Sequence, residues 1–139
     1  MATTKISTGR QTVLSADRAF NFSDFTSGVA KPLVYVRPGT RILRGWVDIT
    51  AAWNSGSTCT YEVGDTEADD VNRWLTSTNA KAAGMTALLA PLTNSVIETP
   101  EAVTMTVTSA GTAPTAGVGV LHIEFIEAER TTELYPYRG

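Results

Sequence analysis

The sequence predicts an all-β protein, an antiparallel two-sheet jelly roll or β-sandwich with one short helical insert, and three observations predict it. Threonine occupies 22 of the 139 positions, and its β-branched side chain suits a pleated, half-exposed surface better than a helix. Apolar residues recur at every second position over several stretches, which is the period of a half-buried strand. Glycine and proline punctuate these stretches closely enough for about seven or eight strands, a number that closes as two packed sheets without covering helices.

Residues 1–30 are weakly patterned. Gln11 to Leu14 is a candidate short strand, while Ala19 to Phe25 alternates Phe with polar residues but lacks β-branched content. That composition suits an N-terminal arm, about residues 1–30, which packs on a partner through Phe20, Phe22 and Phe25. Lys31 to Pro38 reads as a strand, and Pro38-Gly39 as the turn after it. Arg41 to Val63 carries the clearest pattern and reads as a β-hairpin. Leu43, Val47, Ile49, Ala51 and Trp53 share one parity of its first arm, with Arg44, Asp48 and Thr50 on the other. In the second arm Cys59, Tyr61 and Val63 alternate with Thr58, Thr60 and Glu62, and Asn54-Ser-Gly56 supplies the reversal.

From Gly64 to Leu75 acids gather ahead of Val71, Trp74 and Leu75, a three- and four-residue spacing that predicts one or two helical turns, with Asp65 or Thr66 as N-cap. Thr76 to Gly84 reads as a loop. Met85 to Ala90, Val96-Ile97 and Ala102 to Thr108 read as strands. Gly117 to Glu127 places Leu121, Ile123 and Phe125 on one face and pairs with 102–108 as a second long hairpin across the small-residue loop 109–116. Pro136 interrupts the C-terminal tail, about residues 130–139, whose Tyr135, Tyr137 and Arg138 are candidate contacts for a neighbour.

The length suits a single domain, 1–139, with a core of its own. Charged residues are 18% of the chain and the net charge is −3 with a pI near 5.1. No Lys or Arg cluster meets the demand that phosphate makes of a nucleic-acid binder. The single Cys59 leaves no internal disulfide and reads as a small buried hydrophobe. No apolar h-region opens the chain and no run approaches a membrane span, so the expected place of synthesis and folding is a cytosol.

Candidate chemistry is thin. Asp65, Glu67, Asp69 and Asp70 suggest calcium, but an EF-hand loop begun at Asp65 would place Asp70 where Gly belongs and Thr76 where Glu belongs. His122 has no second histidine to work with, Cys59 has no base in sequence proximity, and no Ser lies in a G-x-S-x-G elbow. Asp48 and Glu62, across the expected hairpin, read as a wet face. Gly117-Val-Gly119 lacks the third glycine of a phosphate loop. The expectation is a protein with no enzymatic role, no cofactor and no metal. Ile42 and Trp46 stand out instead: both share the parity of Arg44, and large apolar groups on an outer face mark a contact surface.

Val34-Tyr-Val-Arg-Pro-Gly-Thr40, Ala52-Trp53-Asn54, Thr60-Tyr-Glu-Val-Gly-Asp-Thr66 and Asp70-Val-Asn-Arg-Trp-Leu75 together resemble small structural proteins of tailed bacteriophages, specifically capsid cement, or decoration, proteins of jelly-roll type. The resemblance spans Leu33 to Gly84, and the C-terminal strands agree in pattern only. It implies a non-enzymatic virion protein on the capsid surface that holds major capsid subunits together. Its partners would be the major capsid protein and copies of itself, as dimer or trimer, with no nucleic acid and no membrane. A carbohydrate-binding jelly roll, for which Trp74 is the one candidate loop aromatic, and a head-tail or tail component of the same virion are the competing readings.

Overall fold

Eight strands follow one another: β1 (Leu14–Asn21), β2 (Ala30–Val36), β3 (Thr40–Ala51), β4 (Cys59–Asp65), β5 (Asp70–Asn79), β6 (Gly84–Ala87), β7 (Glu101–Ser109) and β8 (Val118–Glu127), with a 3-10 turn at Phe22–Asp24. The computed structural model describes residues 13–65, 70–88 and 101–127. The strands form two antiparallel four-stranded sheets, A in the order β1-β8-β3-β6 and B in the order β2-β7-β4-β5. The pairs β1–β8, β2–β7, β3–β6 and β4–β5 nest first with last. The chain is therefore a two-stranded ribbon, rolled until β8 also meets β3 and β7 also meets β4. That topology is the jelly roll.

Neither expected hairpin forms. β3 lies in sheet A and β4 in sheet B, while β7 lies in B and β8 in A. Alternation fixes which side of a strand is apolar, not which strand lies beside it. Val47, Ile49 and Trp53 therefore share one core with Cys59, Tyr61 and Val63 from opposite sheets. The two crossing loops travel together. Gly56 N–H donates to Thr112 O at 2.8 Å, Ser57 N–H to Ala110 O at 2.9 Å and Ala110 N–H to Thr58 O at 2.9 Å. Asn54 Oδ1 accepts from the backbone of Thr115 at 2.7 Å and of Ala116 at 3.0 Å. Lys81 Nζ donates to Ser55 O at 2.8 Å and Ser57 O at 3.0 Å, tying the β5–β6 connection to the same end.

Bulges explain the remaining departures. Ile42 pairs with Phe125 and Arg44 with Glu124, so Leu43 is an extra residue and the inward parity of β3 flips there. Ile42 is 1% exposed in the core and Leu43 is 38% exposed, the reverse of the expected parity. A second bulge at Thr50 turns Ala51 outward. The predicted helix over Gly64–Leu75 is strand on both sides of residues 66–69. Register shifts along β4–β5 put adjacent Trp74 and Leu75 both inside, at 2% and 3% exposure, and so imitate helical spacing. Buried Asp65 caps no helix; its carboxylate pairs with the Arg73 guanidinium. Of the expected loop over 76–84, Thr76 to Asn79 belongs to β5; of the strand expected at 85–90, residues 85–87 belong to β6, and 89–90 lie outside the described residues. Pro38-Gly39 is a turn as expected, with Gly39 at φ 82° and Thr40 N–H donating to Arg37 O at 3.2 Å. Val96-Ile97 and the tail 130–139 lie outside the described residues.

Residues 14–21 of the expected arm are β1, paired along its whole length with β8. Phe20 is 3% exposed, with its ring edge-on to Phe25 at 5.6 Å and tilted against Trp53 at 5.9 Å. Two glycines make this packing possible. A Cβ on Gly119 would lie 2.6 Å from the Phe20 ring, and one on Gly117 would lie 2.4 Å from the Trp53 indole, at a φ of 151°.

Candidate interaction face

Sheet A turns its outer face away from the core, and cross-strand register decides what gathers there. Residues directly opposite in antiparallel strands share a face. His122 therefore stands in one row with Asp17 of β1 and with Trp46 of β3, whose other neighbour is Ala87 of β6. The next row holds Ser15, Glu124 and Arg44. On the other side lie Ala19, Val120, Asp48 and Met85, and beyond them Val118 between Asn21 and Ala51.

The charges around His122 are spent on one another. Asp17 meets His122 Nδ1, Glu124 Oε2 meets His122 Nε2 at 3.1 Å, and Arg44 Nε donates to Glu124 Oε1. The Trp46 indole stacks on the imidazole, with centroids 4.2 Å apart and planes 22° from parallel. Both ring nitrogens face carboxylates, an arrangement that only the doubly protonated imidazolium satisfies, since the neutral ring has a single N–H. Burial alone would push His122 down, but the hydrogen bonds to Asp17 and Glu124 and their negative charges outweigh it and raise it above the ordinary value. Hydrogen bonds from His122 and Arg44 hold Glu124 below the ordinary carboxylate range. Exposed apolar surface lies on one side of the Trp46 row: Met85, opposite Asp48, is 63% exposed and Val118, one row further on, 42%.

The carboxylates approach His122 from opposite edges of its ring, so they do not converge on a point where an ion could sit. Among the described residues no group of three His, Cys, Asp or Glu side chains could hold a metal ion. Asp65 is committed to Arg73, and Glu67 and Asp69 lie outside the described residues. Cys59 points into the core from sheet B, where burial pushes its thiol up. His122 is on the outer side of sheet A, and Asp48 and Glu62 lie in different sheets.

The residues expected to make contacts divide. Arg44 and Trp46 lie together on the outer face of sheet A. Phe20 and Ile42 are core side chains. Phe22 and Phe25 pack half-buried against that core and line, with Trp53, Ser23, Ser27 and Ser109, a cavity of about 250 Å³ at the loop end. Tyr135, Tyr137 and Arg138 lie outside the described residues. Trp74, the candidate loop aromatic, is 2% exposed beneath Arg73. Sequence reasoning missed Asp17, His122 and Glu124 as one group. His122 and Glu124 share the outward parity of β8, but nothing local says that β1 and β3 flank that strand.

No protein-family model and no curated protein matches the chain. Solved structures do match it in fold. A chain in the acid-stable capsid structure of Helicobacter pylori bacteriophage KHP30 superposes with a TM-score of 0.62 at 16% identity, covering 85% of this chain and 94% of that one. A chain of the cyanophage Pam1 capsid asymmetric unit gives 0.65 at 12%, covering 91% and 92%. A chain in the capsid of Ralstonia phage GP4 gives 0.66 at 16%, covering 91% and 90%. Coverage this high on both sides means that the matched chains are close to this one in length. No helix among the described residues is long and apolar enough to cross a membrane.

Proposed function

We propose that the protein is a structural component of a tailed-phage virion that sits on the outer surface of the capsid and stabilises contacts between major capsid subunits, without enzymatic activity. The observation that carries this reading is the outer face of sheet A. Trp46, Met85 and Val118 are presented there, and the charges around Trp46 (Asp17, His122, Glu124 and Arg44) are already paired within the chain, so a partner can cover that part of the face without stranding an ion. Two further observations support it: the whole-chain likeness of fold to similarly short chains in three phage capsid structures, and the separation of Cys59 from His122, which leaves neither a base nor a nucleophile to the other.

Binding only the assembled lattice adds free energy to the assembled state alone. Copies joined as a dimer or trimer multiply modest contacts by raising effective concentration. The test is sedimentation of purified protein with empty shells of its own phage, followed by electron microscopy of the loaded particle. Saturable retention with density on the outer shell supports the reading. A copy number of one ring per particle would assign the protein to the head-tail junction instead, and a signal on a glycan array with no retention on shells would assign it to carbohydrate.

A further inference from the structure

Arg18 and Lys31 occupy positions where a sandwich ordinarily places apolar side chains. Arg18 stands opposite Leu121 of β8 and Lys31 opposite Met105 of β7. Leu121 and Met105 are fully buried core residues, and directly opposed residues share a face. Both cations therefore lie on the inward side of an edge strand, β1 of sheet A and β2 of sheet B, where the sheets part. They line one open groove of about 500 Å³ with Asp24, Val29, Pro32 and Tyr35. The Asp24 carboxylate accepts from Asn21 N–H at 2.9 Å. Neither Arg18 nor Lys31 has an ion-pair partner among the described residues. Beside them Tyr35 is 78% exposed and Val29 55%.

Building on the reading of the protein as a virion component, we propose that this groove takes an extended, carboxylate-bearing segment of a partner polypeptide, added along the edge of β1 that no described strand pairs with, with its acidic side chains against Arg18 and Lys31. β1 suits strand addition better than β2. It pairs with β8 in unbroken register from Leu14 to Asn21, whereas β2 carries Pro32, which has no N–H to give, and a bulge between Pro32 and Val34. Added strands gain affinity from main-chain hydrogen bonds and specificity from side-chain contacts, and charge-assisted bonds to two cations supply that specificity. Inward charges on edge strands also discourage pairing between copies, but that role needs no exposed tyrosine and valine beside them.

The test is a titration of isotopically labelled protein, read by amide shifts, with a short synthetic peptide alternating Thr and Glu and with its Lys counterpart. The expected result is shifts confined to residues 14–21 and 24–36 with the Glu peptide and none with the Lys peptide. The double variant Arg18→Glu, Lys31→Glu should weaken binding at least about tenfold, which is about 1.4 kcal/mol, with Tyr35→Ser weakening it separately. Shifts on another surface, unchanged binding by the double variant, or tighter binding of an oligothymidylate would each overturn the proposal. So would a wild type that binds no peptide while the double variant self-associates, which would make these cations edge guards. The assay uses free protein, so a failure to bind shells leaves its result intact, and shell binding unaffected by the double variant counts against the groove alone.

Discussion

The indole of Trp46 and the imidazole of His122 lie 4.2 Å apart on neighbouring strands of sheet A, and the imidazole is held between Asp17 and Glu124. This places a titratable cation under the largest apolar group of the proposed contact face.

The first prediction is a pH dependence with a defined sign. His122 is raised above its ordinary 6.5, so its contribution to stability is complete below that value and is lost as pH rises through the raised one. Glu124 is lowered below its ordinary 4.5, so its contribution is complete above that value and is lost as pH falls through the lowered one. Their joint contribution is greatest between pH 4.5 and 6.5. Thermal melts of the wild type against His122→Gln should differ most in that window and converge toward alkaline pH. A constant difference from pH 5 to 9 would refute the assignment.

The bulge at Leu43 makes a prediction that simple alternation reverses. Ile42→Ala should cost about 2–5 kcal/mol, the range for emptying a core site. Leu43→Ala, at 38% exposure, should cost less than about 1 kcal/mol. Chemical denaturation of the two variants decides between the parities.

Two sheets of alternating strands, the Pro38-Gly39 turn, the burial of Cys59, Tyr61 and Val63, and the outward placement of Trp46 and His122 were legible in the sequence, because each depends on local periodicity or turn chemistry. The partners of β3 and β8 were not, since hydrogen-bonded neighbours in a jelly roll are set by how the ribbon rolls. Bulges concealed the rest. One extra residue at Leu43 exchanged Ile42 for Leu43, and the shifts in β5 gave Trp74-Leu75 a helical look. The Asp17–His122–Glu124–Arg44 chain draws on three strands far apart in sequence, so it emerges only once β1, β8 and β3 are side by side.

Buried Asp65 depends on Arg73, whose side chain is 23% exposed while that of Asp65 is fully enclosed. Removing the cation takes the guanidinium away from a fully enclosed carboxylate. Arg73→Ala should therefore destabilise by about 3 kcal/mol, and Arg73→Lys should recover only part of that because it loses the planar fork. Equilibrium unfolding in urea measures both.

Gly117 cannot accept a side chain without a shift of its surroundings. Its φ of 151° and the 2.4 Å approach of the Trp53 indole mean that Gly117→Ala both strains the backbone and displaces a core ring. A loss of about 1–3 kcal/mol is expected, accompanied by a change in Trp53 fluorescence that a purely backbone effect would not produce.

The most direct measurement is retention of Trp46→Ser and Arg44→Glu on empty shells of the phage, compared with wild type after melts have established that each variant is folded. The account predicts saturable binding by the wild type and loss of it in both variants, with melting temperatures lowered by a few degrees at most. Equal retention of all three proteins, or no retention of any, would contradict the claim that this face of sheet A clasps the capsid.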